Sequence, residues 1–196
     1  MSDIPTLLER FRRGPEVVAS ALTGVSGAEE DFVTAPGKWS IRQIAAHLAD
    51  SELVGAHRLR QVIAEDNPTL IAFDQDAWTK NLDYSRRKAE QSVDTFRRIR
   101  TENYELLKAV PDAAWERTGN HTENGPMTLR RLLEGYAGHA ESHARQLQQI
   151  RDALPSLFFQ CGQIGRRRLD LACCQLSVRL RIDDIDQQRG SSGKTV

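Results

Sequence analysis

The sequence predicts an all-α protein, a four-helix bundle followed by a C-terminal appendage. Apolar residues recur at helical spacing over four long segments, strand-like alternation is scarce in residues 1–154, and the composition breaks at Pro155. Residues 1–154 are therefore read as one helical domain and residues 155–196 as a tail.

The first helix is expected over residues 5–22, with Pro5 tolerable in an opening turn and Leu7, Leu8, Phe11, Val18 and Leu22 forming the apolar side. The second runs from 41 to about 64. Its start is well marked, because Ser40 and Gln43 have the spacing of a capping box and Trp39 and Ile44 that of a hydrophobic staple. Residues 65 to about 84 form a long connection containing Asn67-Pro68, Leu70, Ile71, Phe73 and Trp78. A connection of this length is usually functional or carries short structure of its own. The third helix spans about 85–110 and stops before Pro111. The fourth starts at a Thr128 N-cap and ends before Pro155. Four such helices suggest an up-down bundle, with the second connection the candidate to cross over the top.

Composition narrows the function classes. Twenty-seven basic residues balance 27 acidic ones, so net charge favours neither nucleic acid nor an anionic membrane. No apolar run reaches transmembrane length, and Asp3, Glu9 and Arg10 leave no room for a signal-peptide core, so a cytoplasmic address is expected. Cys161, Cys173 and Cys174 all lie in the tail, where the adjacent pair lacks CxxC spacing; free thiols are the expectation. The tail also holds Arg166 to Arg168, an alternating stretch from Leu176 to Ile182 with no strand to pair with, and a polar end with the composition of a disordered segment. Its seven basic and four acidic residues give too small a surplus to argue for nucleic-acid binding.

The chemistry concentrates in five histidines. His139 and His143, four residues apart in the fourth helix, lie inside or at the edge of the arc formed by Leu129, Leu132, Leu133, Tyr136, Ala140, Leu147 and Ile150. A histidine on an apolar stripe is ordinarily a core residue with an ordinary hydrogen bond. Two of them one turn apart can instead share a single cation, and a third ligand would decide between these readings. His47 is the candidate, at the border of the second helix's stripe of Ile41, Ile44, Leu48, Leu59, Val62 and Ile63. If the two helices pack together, three neutral imidazoles can converge on one ion. Asp50 and Ser51, at i+3 and i+4 from His47, share its side and could orient ligands or solvent; a solvated helix surface is the competing reading. His57, about 80 degrees round from His47 and among Arg58 and Arg60, reads as exposed. His121 falls in a loop-like polar run that could flank a site entrance.

Three stretches carry a resemblance to a known family: Ala35-Pro36-Gly37-Lys38-Trp39-Ser40 continuing through His47, Asp50, Ser51 and Glu52; Phe73-Asp74-Gln75-Asp76-Ala77-Trp78; and Tyr136-Ala137-Gly138-His139-Ala140-Glu141-Ser142-His143. In order and spacing they resemble the DinB-like superfamily, particularly its YfiT-like branch of metal-dependent hydrolases and bacillithiol S-transferases. The resemblance spans most of residues 5–152, and the tail has no counterpart in it. It implies a four-helix bundle holding one divalent metal ion on His47, His139 and His143. Imidazole ligands suit several transition metals, with zinc and nickel leading the candidates.

The resemblance leaves the reaction open. A metal-dependent thiol S-transferase or hydrolase would act through a metal-activated thiol or water on a small-molecule electrophile, with a low-molecular-weight thiol as second substrate and Asp50 behind the ligands. The alternative is a non-catalytic, stress-associated metal-binding bundle whose exposed faces form a homodimer. No unmistakable general base or substrate anchor separates the two in the sequence.

Overall fold

The computed structural model describes residues 3–154. The cysteines, the alternating stretch and the polar end of the tail lie outside them. Helix α1 spans Ile4–Leu22, α2 Ile41–Ala64, α3 Gln75–Asn81, α4 Ala89–Lys108 and α5 Leu129–Ala153. The four long helices are α1, α2, α4 and α5. Capping fixes the starts of α2 and α5 as the sequence suggested. The Ser40 and Gln43 side chains each bond the other's backbone N–H, and Thr128 Oγ1 accepts from the Arg131 N–H.

The bundle is not a simple up-down array. α1 packs against α4 and α5, and α2 packs against the same two, so α1 and α2 stand on one diagonal and α4 and α5 on the other. Side-chain pairs give the directions. Arg10 bonds Glu141 while Arg151 reaches the Ser20 and Ala21 carbonyls, which makes α1 and α5 parallel. Arg100 bonds Glu52 and Asn103 bonds Arg60 near the far ends of α4 and α2, while Arg42 reaches the Arg87 carbonyl at their starts, so these two are also parallel. Parallel neighbours need a connection that returns the length of the bundle. The segment after α2 supplies it, carrying strand β1 (Thr69–Leu70), α3 and a 3-10 turn at Tyr84–Arg86.

Strands are scarce among the described residues, as the sequence indicated, but three short ones add a small sheet that it did not locate. β1 pairs in parallel with β2 (Thr118–His121), which forms an antiparallel hairpin with β3 (Gly125–Thr128). The polar run around His121 is thus the hairpin, with Gly125 in the left-handed region at φ 67°. Strands of two to four residues are too short to show period-two alternation.

Two apolar clusters fill the ends of the bundle. One gathers Leu7, Phe11, Leu59, Val62, Leu107, Leu129 and Leu133; the other gathers Val18, Ile44, Leu48, Phe96, Leu147 and Ile150. Between them along the helices lies a polar layer of His47, Ser51, Glu52, Arg100 and Asn103, all buried. A layer of this kind persists only when its groups are satisfied. Arg100 donates two hydrogen bonds to the Glu52 carboxylate, at 2.8 and 2.6 Å, and others to the Phe11 and Tyr136 carbonyls. The Phe11 carbonyl is free to accept because Pro15, four residues on in α1, has no N–H. Gly14 makes the room: a Cβ there would stand 2.9 Å from Arg100 Nη1.

Candidate metal centre

The structure brings His47 on α2 together with His139 and His143 on α5. His139 Nε2 lies 3.1 Å from the Nε2 atoms of both His47 and His143, and one ring nitrogen from each of the three falls within 4.8 Å of the others. His47 is fully buried, and the other two are half-buried, so the cluster opens on one side. Trp39, read from sequence as a staple, packs on His47 with ring centroids 4.7 Å apart and stacks near His143 at 6.5 Å. Ser51 Oγ stands 3.3 Å from His47 Nε2.

Burial holds these rings neutral. Desolvation, with the neighbouring histidines adding to it, lowers His47 to about 4 and His139 to about 3, and desolvation also lowers His143. Neutral imidazoles are ligand-competent. The tautomer of His143 is set by Gln146, whose Oε1 lies 2.9 Å from His143 Nδ1 and accepts the proton there. Nε2 of His143 is therefore a lone pair facing His139 Nε2. A single ring proton on His139 cannot serve both of its neighbours, whereas one cation can accept all three lone pairs. The two 3.1 Å spacings agree, since nitrogens about 2.0–2.1 Å from one tetrahedral ion stand about 3.3 Å apart. The donor set fits a transition metal.

Asp50 directs its hydrogen bonds away from the triad rings, although its charge still acts on His47. Its carboxylate is buried and accepts from Tyr84 Oη at 2.9 Å and from Arg87 Nη1 at 2.7 Å. Burial and this bond raise the Tyr84 hydroxyl well above the usual phenol range. Asp50 thus ties the returning connection to α2, while Ser51 is the neighbour that touches a triad ring. His57 is exposed, as the sequence indicated. His121 is buried, and its Nδ1 accepts from the backbone N–H groups of Glu123 and Asn124, closing the hairpin turn.

A cavity of about 200 Å³ adjoins the triad, with Ser51 and His139 in its wall. Its other polar lining comes from Arg58, Gln75, His121, Asn124 and Tyr136, its apolar lining from Phe73, Met127 and Leu132. Tyr136 can lie against α2 because residue 55 is glycine; a Cβ there would stand 2.7 Å from the ring. The sequence did not single out Arg58 or Gln146. Arg58 was masked by its neighbours in an arginine-rich stretch, but Gln146, at i+3 from His143, was findable as a partner for that ring.

Comparison with known proteins gives a consistent result. A protein of Oceanobacillus iheyensis named "putative metal-dependent hydrolase" is 26% identical over 136 residues, 69% of this chain and 78% of its own. A Bacillus mycoides protein of the same name is 26% identical over 140 residues, 71% of this chain and 80% of its own. The fold matches that of YfiT from Bacillus subtilis, described as a probable metal-dependent hydrolase with an unusual four-helix bundle topology. The TM-score is 0.73 at 20% identity, covering 77% of this chain and 87% of that one. The profile of the DinB superfamily matches residues 10–147, and the chain belongs to that superfamily.

Proposed function

We propose that the protein is a metal-dependent hydrolase whose single divalent ion is held by His47, His139 and His143. The observation that carries this reading is the meeting of three neutral imidazole nitrogens within 4.8 Å of one another, with His139 in the wall of the adjoining cavity. An ion in such a site lowers the pKa of water or of a thiol and polarises a carbonyl.

The chain's own residues supply the rest. Gln146 keeps the His143 proton on Nδ1, so that Nε2 stays available as a ligand. Trp39 covers the triad and helps keep it dry. Ser51 offers a hydroxyl beside His47, able to donate to or accept from a reacting group bound there. The apolar wall of Phe73, Met127 and Leu132 holds the body of a small electrophile against this edge.

The same centre can serve a low-molecular-weight thiol in place of water, and thiol S-transfer is the finer alternative within this reading. Elemental analysis of untagged protein, followed by assays of ester and amide hydrolysis with and without added thiol, tests both. About one zinc or nickel ion per chain and thiol-independent turnover support the hydrolase. Turnover only with thiol supports the transferase. A metal-loaded protein inert to a broad electrophile panel supports a non-catalytic binder.

A further inference from the structure

Arg58 is placed oddly for a purely structural arginine. It projects from α2 into the wall of the cavity, and its fixed partners are neutral oxygens, the Tyr136 hydroxyl and the Ile71 carbonyl. Its Nε is buried and has no hydrogen-bond partner. Among the described residues it forms no salt bridge, although most other buried or half-buried arginines of the bundle, such as Arg10, Arg42, Arg87 and Arg100, each pair with a carboxylate.

The rest of the lining points the same way. None of the residues around the cavity is acidic. His121 has its Nδ1 occupied by the hairpin turn, which leaves Nε2–H as the donor that it can offer a ligand. An Asn124 amide and the Tyr136 hydroxyl add further donors on the same wall. A cavity with one unneutralised guanidinium, several N–H and O–H donors and no carboxylate selects an anion, and guanidinium matches the planar oxygen pair of a carboxylate best.

We propose that this cavity takes a small substrate carrying a carboxylate, which Arg58 holds while the rest of the molecule reaches the histidine triad. The proposal rests on reading the triad as the reacting end of the cavity, and it adds the substrate class. Arg58 is a specificity-determining residue here. An uncharged analogue of the same shape would leave its guanidinium without a counter-charge in a half-buried site.

Calorimetric titration of the full chain tests this, using succinate, benzoate and phenylacetate against their neutral amides, with metal-loaded and metal-free protein. Each carboxylate should bind wild-type protein at least about tenfold tighter than its amide in both forms. Arg58→Gln should abolish that preference with metal content unchanged, and Arg58→Lys should keep part of it. Equal binding of acid and amide, no binding of either, or a preference that survives in Arg58→Gln would overturn the proposal. A preference confined to metal-loaded protein would assign the anion to the ion and overturn the role of Arg58. Protein purified without metal would defeat the hydrolase reading yet leave the wild-type acid–amide comparison readable, even if Arg58→Gln fails to fold.

Discussion

Gln146 accepts the Nδ1 proton of His143 at 2.9 Å, and this one bond decides which nitrogen of the ring faces the triad. Without it the proton could shift to Nε2 and remove a ligand. Gln146→Leu should therefore weaken metal binding about 10- to 100-fold, as loss of the group behind a ligating histidine commonly does. Gln146→Glu should retain or strengthen it. Competition with a chelator measures both, and unchanged affinity in Gln146→Leu would show that other contacts orient the ring.

Asp50 makes the opposite prediction. Its bonds go to Tyr84 and Arg87, so Asp50→Ala should lower unfolding stability by about 2–3 kcal/mol, the range for hydrogen bonds to a charged group. Metal affinity should fall by less than about tenfold. Denaturant unfolding alongside chelator competition separates the two, and a large metal defect with normal stability would return Asp50 to the centre.

The Glu52–Arg100 pair lies in the polar layer, 2% and 1% exposed, with Asn103 completing the carboxylate's bonds. Glu52→Gln leaves the guanidinium without its counter-charge and should cost about 3–5 kcal/mol. Replacing both partners by apolar residues of similar volume should cost much less. A double-mutant cycle reads the difference.

The lowered histidines also make stability depend on pH. His47 and His139 titrate near 4 and 3 in the folded protein and near 6.5 when unfolded, so between those values the unfolded chain binds more protons. Metal-free protein should be at full stability above pH 6.5 and lose about 6 kcal/mol as pH falls toward 4, roughly 3 kcal/mol from each ring. Urea unfolding at a series of pH values measures the slope, which should be shallower in His139→Gln. A flat profile would mean that the rings are already solvated.

The helices were legible because their signals are local. The Ser40 cap, the Thr128 cap and the apolar periodicity each act within a turn or two, and three of the four long helices begin within a residue or so of where those signals place them. α4 instead starts at Ala89 rather than near 85, because Tyr84–Arg86 turns as a 3-10 segment anchored by Asp50. The short sheet was hidden, since it depends on contacts across tens of residues, whereas the crossing connection after α2 was already a candidate from its length. His47, His139 and His143 could be picked out from helical spacing, and their convergence on one ion was expected from the family resemblance; spacing alone only permits it, because it requires α2 and α5 to be neighbours. Arg58 and the cavity were illegible for the same reason: one arginine among several differs only in which oxygens it meets.

Metal content of untagged wild-type protein compared with His143→Ala tests the central claim most directly. The account predicts about one transition-metal ion per chain in wild type and none retained in His143→Ala, which keeps only two imidazoles, with helix content preserved in both. Any hydrolase or transferase activity should vanish with the ion. Wild-type protein that retains no metal, or activity that persists in metal-free His143→Ala, would contradict it.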